Sequence, residues 1–569
     1  MSVEQDIAAV QTAVRNGGDL VVETLQALGA RTVFGIPGQH ALGLFDAMGR
    51  GRLHFVSSRI ENNSAFAADG YSRATGAPGV LFLSTGPGAL TSLSGLQEAY
   101  ATGVPVVVVA SQIPAAGLGA RRRGMLHQLD EQRLAASQVT KSQRTIQHAA
   151  AIPSALREAW TEAITAPQGP VWVEVPQDIL LAPVDVPPVQ DVTAAIPAVP
   201  ARAELVEEAA RLLAGSKRPL VIAGGGVRRG GAEEALLSLA EALDAPVICT
   251  PGGNGAFPWE HTLSLQSWIE DVHMSELAED ADVLLAVGTS LGEVTSNYFT
   301  LAPRGRLIQV DAEARVLESN HPALGIHADA GLALPALHAA VVRRLEENDG
   351  AARDWHGASP REVVATALQT VRERLAGQGL EHELGFMAAI RSAVPDGMQT
   401  FWDMTISAYW GWSCWDSRSG QFHSAQGAGG IGWAFGAAIG GAQGLGTDGS
   451  GERVLAVSGD GCSMYSISEL ATARQHGTPV TWLIVDDGGY GILREYMEGS
   501  FGKATATELT RPDFVKLAES FGVPARRVSA DDVEGALRDA FAAEGPNVVV
   551  VETKLRMFAP THLDRPVTL

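Results

Sequence analysis

Short apolar runs recur along the chain, each ended by a glycine- or aspartate-bearing turn and followed by apolar residues at helical spacing. In the first third the runs lie at 32–34, 54–56, 79–84 and 105–110. Between them, Gly18-Asp19 opens a helix through Val21, Leu25 and Leu28, a second helix carries Leu42, Leu44 and Phe45, and a third spans 62–74. The middle third has runs at 219–223, 245–250, 281–288 and 306–311, and the last third at 398–402, 454–457 and 480–485. Runs that are apolar throughout predict strands buried on both faces. Strands alternating with helices predict parallel sheets covered on either side. The expected fold is α/β, with three doubly wound parallel-sheet domains at 17–182, 201–345 and 380–558. A proline-rich linker at 183–200 and a charged helical connector at 346–379 separate them.

The segment 454–494 carries the clearest chemistry. Val454-Leu455-Ala456-Val457 leads into Gly459-Asp460-Gly461, a helical pattern passes through Glu469-Leu470-Ala471-Thr472-Ala473, and the next run ends in Asp486-Asp487-Gly488-Gly489. Parallel strands joined by a right-handed crossover place both turns at one edge of the sheet. Asp460 and Asp487, 27 residues apart, are therefore expected close together. Two carboxylates beside glycines and a helix N-terminus suit Mg²⁺ holding a diphosphate. A lone GDG reads equally well as a strand-end turn; the second acidic turn tips the reading toward an ion site.

This segment resembles the cofactor-anchoring motif of thiamin-diphosphate (ThDP) enzymes, a GDG followed at the same distance by an Asn-Asn or Asn-Asp pair. The resemblance implies Asp460, Asp487 and the Gly489 carbonyl as metal ligands. It implies Gly459, Gly461, Cys462, Ser463 and Tyr490 as further cofactor contacts. Asp486-Asp487 departs from the pattern, because the family has at least one Asn there. The extra carboxylate raises the negative charge around Mg²⁺ and diphosphate, so affinity depends on nearby donors that the sequence does not identify.

Two further stretches carry the same resemblance. Glu61 follows a strand and opens a helix, where a carboxylate favours the helix dipole. Its surroundings, RIENNSAFAADGYSRATGAPGV with Thr85-Gly86-Pro87-Gly88 downstream, resemble the family segment whose glutamate bonds to N1′ of the aminopyrimidine. Ile60 and Asn62-Asn63 differ from the usual residues and alter the pocket shape without removing the glutamate. In 427–444, a small-residue helix is expected, with Ile431 under the thiazolium ring and the Gly429 carbonyl accepting from the 4′-amino group. Thr405, after the strand at 398–402, is a candidate diphosphate contact.

Other features keep two readings open. Residues 111–140 are expected as loop then helix. There His127 and Gln128 are either substrate-facing catalytic residues, in the region where relatives carry Phe-Gln-Glu or His, or ordinary polar helix residues. Arg121-Arg122-Arg123 reads as a solvated face. Trp402, Tyr409, Trp410, Trp412 and Trp415 are core or interface residues, or pocket lining. Gly224-Gly225-Gly226 is a tight turn, or a dinucleotide-phosphate cradle that lacks the full G-x-G-x-x-G. The middle domain resembles the one that holds FAD in acetolactate synthases. Val287-Gly288-Thr289-Ser290-Leu291-Gly292-Glu293 replaces their Gly-Ala-Arg-Phe-Asp-Asp-Arg-like run, which counts against FAD.

Composition narrows the picture further. The 569 residues, 46% hydrophobic with 63 glycines, fit large, well-buried α/β domains. A net charge of −22 argues against nucleic-acid binding. Cys249, Cys414 and Cys462 lie far apart without metal-ligand spacing and read as reduced thiols of a cytoplasmic protein. No apolar run reaches membrane-spanning length, and MSVEQDIAAV lacks a signal peptide's basic start. The tail 557–569 is either a cover over the active site or a frayed end.

The resemblance spans nearly the whole chain and implies pyrimidine-binding, middle Rossmann-like and diphosphate-binding domains in that order. It implies a homodimer or homotetramer, with each cofactor between the first domain of one subunit and the third of its partner. The implied reaction is ThDP- and Mg²⁺-dependent decarboxylation of a 2-oxo acid, with possible carboligation of the enamine to a second carbonyl compound. The alternatives are an FAD-containing acetolactate synthase, a 2-hydroxyacyl-CoA lyase or a non-catalytic cofactor-binding protein. Leu493 occupies the position where pyruvate-decarboxylase-like enzymes often carry a glutamate proton donor, which disfavours that subtype.

Overall fold

The structure, a computed structural model, describes residues 14–190, 192–194, 199–347, 352–446 and 451–559. The N-terminal stretch read for a signal peptide, part of the 183–200 linker and most of the tail lie outside the described residues.

Three all-parallel sheets are present. The first holds β1 (Thr32–Gly35), β2 (His54–Ser57), β3 (Gly79–Leu83), β4 (Val106–Gln112), β5 (Gln143–Thr145) and β6 (Val171–Pro176), in the order β2-β1-β3-β4-β6-β5. The second holds β7 (Pro219–Ala223), β8 (Val247–Cys249), β9 (Val283–Val287), β10 (Arg306–Asp311) and β11 (Leu324–His327), in the order β11-β10-β9-β7-β8. The third holds β12 (Thr400–Trp402), β13 (Phe422–Ser424), β14 (Val454–Gly459), β15 (Val480–Asp486), β16 (Ala525–Val528) and β17 (Asn547–Glu552), in the order β13-β12-β14-β15-β17-β16. Counted from each sheet's own first strand, the first and third sheets share one order, 2-1-3-4-6-5. The chain forms two compact units, one built on the first sheet and the other on the second and third.

The central strands are buried along their whole length, β4 and β15 without an exposed position. That explains why they read as unbroken apolar runs. The half-exposed edge strands β5, β11 and β16 and the short β13 carried no such signal and were not expected; β6 and β17 were missed as well, although they are buried apolar runs of the same kind. In the second unit one core joins the two sheets through residues such as Leu284, Trp402, Trp410, Leu455 and Val549. Trp402, Trp410, Trp412 and Trp415 belong to this core, each at most 3% exposed.

Three local readings change. Residues 111–140 hold the end of β4, a 3₁₀ segment, Ala115–Ala120, and a short helix, Gln132–Ala136. His127 sits between them in a left-handed turn with φ 62° and is no helix residue. The small-residue helix starts at Trp433, so Gly429 (φ 70°) and Ile431 lie in the loop that enters it. Gly459 caps a helix, Asp460–Ser466, so Asp460 is a first-turn residue. The connector at 346–379 contains the helix Pro360–Ala376, started by a Ser359–Glu362 capping box.

Candidate active site

In the third sheet the chain moves outward from β12 to β13, then crosses to β14 on the other side. Ligands of doubly wound folds settle in the crevice beyond the strand ends at such a reversal. A cavity of ≈ 430 Å³ lies there. Thr405 enters it from the end of β12, Gly459, Gly461 and Cys462 from β14, and Asp487, Gly489 and Tyr490 from β15. Gly429, Ile431 and Leu493 complete the lining, and Tyr409 joins them from the aromatic cluster. Ser463 stays out, because its hydroxyl donates to the Gly459 carbonyl at 2.8 Å. Burial pushes the Cys462 thiol well above its ordinary pKa, so it meets the cavity as a neutral group.

The acidic turns are neighbours. Gly459 pairs with Val485 across β14 and β15, which puts Asp460 and Asp486 one residue past the last rung. Asp460 is 1% exposed and neither of its carboxylate oxygens receives a hydrogen bond among the described residues. Burial, then Asp487 and Asp486, push its pKa up to about 7. Burial likewise raises Asp487. Carboxylates buried side by side are unfavourable as bare protein, and a divalent cation relieves that cost. The residues therefore fit Mg²⁺, and with it the diphosphate end of ThDP.

Backbone geometry makes room for these groups. A Cβ on Gly491 would stand 1.8 Å from Asp487 Oδ2, and one on Gly489 2.0 Å from the Thr507 carbonyl. Residues 488–490 can thus lie against 507–509, where the Tyr490 amide donates to Thr507 (2.8 Å) and Leu509 to Gly488 (3.2 Å). The same loop brings Arg511, with Nε 2.7 Å from Asp486 Oδ1 and 3.8 Å from Asp460 Oδ2. Arg494 lies on the other side and favours the charged form of Asp487.

The first sheet has its own reversal between β1 and β3. Glu61 is the first residue of the helix Glu61–Thr75, and a Cβ on Gly88 would lie 3.1 Å from its Oε1. Gly88 is thus the space that the carboxylate uses. A Cβ on Gly86 would meet the His127 carbonyl at 2.5 Å, which draws His127 to the same edge. There its ring faces His40, from the turn after β1, with centroids 5.3 Å apart. Both Nδ1 atoms are buried without a hydrogen-bond partner among the described residues. Gln128 diverges: its amide donates to the Arg122 carbonyl (2.7 Å) and accepts from the Met125 amide (3.2 Å), so it serves the loop.

Gln132 pins this edge by accepting from the Gly86 amide (2.9 Å) and donating to Glu174 (3.0 Å). Glu174 also accepts from Trp172, Thr145 and Gln112. Sequence reasoning missed His40, Gln132, Arg494 and Arg511. His40 follows the Gly35-Ile36-Pro37-Gly38 turn, so its place beside a second strand-end turn was a usable signal. The others carry no local signature.

In the second sheet, Gly224 and Gly226 pack on Gly288: a Cβ on either would come within 2.5 Å of it. The described residues contain no helix long and apolar enough to cross a membrane.

Comparison with known proteins gives a consistent answer. The N-terminal TPP binding domain of thiamine pyrophosphate enzymes matches residues 15–134, their central domain 206–337 and their C-terminal TPP binding domain 403–551. The chain is 31% identical over 540 residues to the probable 2-ketoarginine decarboxylase AruI of Pseudomonas aeruginosa, covering 94% of this chain and 93% of that one. It is 30% identical over 546 residues to a probable acetolactate synthase large subunit of Methanocaldococcus jannaschii, covering 93% and 90%. It is also 30% identical over 551 residues to the acetolactate synthase isozyme 2 large subunit of Escherichia coli, covering 94% and 95%. Matching domains in this order, and relatives matched almost end to end, show that the chain belongs to the thiamine pyrophosphate enzymes and is a ThDP-dependent enzyme of the superfamily that includes acetolactate synthases and 2-oxo acid decarboxylases.

Proposed function

We propose that this enzyme decarboxylates a 2-oxo acid with ThDP and Mg²⁺, with carboligation as a possible second outcome. The observation that carries the reading is Asp460, buried with both oxygens free of hydrogen bonds beside Asp487 at the sheet reversal. When bound, ThDP supplies an electron sink for carbon–carbon bond cleavage. Asp460, Asp487 and the Gly489 carbonyl hold Mg²⁺, Thr405 contacts the diphosphate, and Ile431 and the Gly429 carbonyl orient the rings. Glu61 holds the proton at N1′ of the pyrimidine, a general acid–base role for a carboxyl group. His127, with His40 behind it, handles the proton or the carboxylate of the substrate.

The carbonyl-bearing substrate therefore reacts beside a largely apolar cavity wall of Ile431, Leu493 and Ile492. An apolar Leu493 leaves no acid at that position to protonate the product, which disfavours a pyruvate-decarboxylase-like subtype and is compatible with either aldehyde formation or carboligation. Met464, Tyr465, Leu493, Tyr496 and Phe501 are 44–76% exposed near this mouth, a face that suits a second copy of the chain. A homodimer or homotetramer in the cytoplasm follows from this reading, and light scattering in solution tests the assembly.

The test is a panel of 2-oxo acids, pyruvate and 2-ketoarginine among them, with CO₂ release and product identity followed together. Turnover that needs both ThDP and Mg²⁺ and disappears in Asp460→Ala supports the proposal. Cleavage of a 2-hydroxyacyl-CoA with no CO₂ from any 2-oxo acid would overturn it. The Val287-Gly288-Thr289-Ser290-Leu291-Gly292-Glu293 run, in place of the acetolactate-synthase pattern, supports a middle domain without flavin. A yellow protein with a flavin absorbance band would move the reading to an FAD-containing acetolactate synthase.

A further inference from the structure

Three carboxylates converge where the family pattern has two at most. Asp460 and Asp486 are 1% and 5% exposed, and Asp487 lines the cavity. A divalent cation is drawn to such a cluster, but a diphosphate is repelled by each carboxylate that the cation does not neutralise. A neutral carboxamide at position 487 would avoid this conflict; this chain has an aspartate instead. Two arginines from outside the ligand set reach the cluster: Arg494 stands beside Gly489 and Asp487, and Arg511 serves the other two carboxylates. Arg511 Nε lies 2.7 Å from Asp486 and 3.8 Å from Asp460. Its guanidinium rests on Gly488, where an added Cβ would come within 3.0 Å of it. Gly488 has φ 92°, so the backbone there is held in a form that suits glycine and leaves that space open.

We propose that Arg511 is a charge-compensating residue: it offsets the surplus carboxylate of the Asp486-Asp487 pair, so that a three-carboxylate ion site accepts the cofactor's diphosphate. The inference rests on the reading of Asp460 and Asp487 as metal ligands. It makes an unusual demand, because one arginine should act in opposite directions on the two halves of the ligand. It weakens a bare cation, which it repels, and strengthens the anion that follows.

The experiment measures both halves by binding alone. Mn²⁺ uptake without cofactor is followed by electron paramagnetic resonance. ThDP binding at saturating Mg²⁺ is followed by quenching of tryptophan fluorescence. An opposite charge at this range is worth about one log unit. Arg511→Gln should therefore tighten Mn²⁺ several-fold and loosen ThDP by about tenfold, the second effect shrinking in high salt. Arg511→Lys should recover much of the ThDP affinity. Asp486→Asn placed on Arg511→Gln should restore it by removing the charge that needed compensation. Weakening of both ligands together, or no change in either, overturns the inference and shows a structural or idle arginine. Asp460→Ala separates this from failure of the underlying reading: Mn²⁺ uptake that is absent in the unaltered enzyme, or unchanged by Asp460→Ala, overturns the ion site itself.

Discussion

The rings of His40 and His127 face each other across the sheet reversal of the first unit, with centroids 5.3 Å apart and planes tilted by 52°. Burial, and secondarily the charge of His127, lower the pKa of His40. The charged form of His40 is thus disfavoured in the folded enzyme relative to the unfolded chain. Its contribution to stability is present above the ordinary histidine range near 6.5 and is lost as pH falls through that range toward the lowered value. His127→Asn should raise the His40 pKa, read by NMR on ¹³C-labelled histidine. It should also lower kcat/KM by about 10²-fold with a changed acid limb in the pH profile, as loss of an acid–base group does. A lower kcat/KM with an unchanged pH profile would leave His127 a packing residue.

Glu61 is half-buried at a helix start, where the preceding Ile60 offers no side-chain cap. Glu61→Gln is expected to keep the melting temperature within a few degrees and to lower turnover by roughly 10²–10⁴-fold. Thermal unfolding and steady-state rates on the same preparation check both. A collapse of stability would show that the dipole role had been the larger one.

Gly491→Ala puts a methyl group 1.8 Å from the present position of Asp487 Oδ2. The carboxylate must swing away from the ion site. A displacement of that order costs about 10²-fold in activity, and higher Mg²⁺ should recover part of it. Titration of activity against Mg²⁺ distinguishes this from a folding defect, which added metal would not repair.

Asp403 gives a stability prediction with a definite sign. It is 1% exposed, accepts from Ser458 (2.7 Å) and the Ala434 amide (3.1 Å), and burial raises its pKa to about 6. Ionisation in the folded state is therefore penalised: the cost is absent below the ordinary carboxylate pKa of 3.8 and complete above about 6. The stability of Asp403→Asn relative to the parent should shift in the variant's favour by up to about 3 kcal/mol between pH 4 and pH 8, on top of a pH-independent cost for losing one acceptor oxygen. Melting temperatures of both proteins across that range provide the check, and a difference that does not move in the variant's favour as pH rises contradicts it.

Much of this architecture was legible in the sequence, for a physical reason. Strands buried on both faces, such as β4, β14 and β15, need apolar residues at every position. The turns at their ends need glycine beside the reacting groups. Both leave local marks, and they were enough to bring Asp460 and Asp487 together; Glu61 was singled out by the resemblance of its surroundings to ThDP enzymes. Partners supplied by distant loops leave none. Arg511 reaches Asp486 only because Gly489 lets residues 507–509 pack against it, and no spacing rule records that approach. His127 was singled out but set on a helix, because its left-handed turn carries no glycine at that position. Gln128, its neighbour, looked equally eligible until its amide proved to be used up on Arg122 and Met125.

The strand order shared by the first and third sheets gives every polypeptide two dissimilar clefts, one bearing Glu61 and the other Asp460. Damage to one leaves the other whole. Under the assembly that the family resemblance implies, in which each site takes Glu61 from one subunit and Asp460 from its partner, copies disabled only at Glu61 and copies disabled only at Asp460 should, after mixing and reassembly into pairs, lend each other their sound halves. Random pairing makes about a quarter of the junctions complete. Two dead preparations that revive when combined would be the outcome of that recurrence.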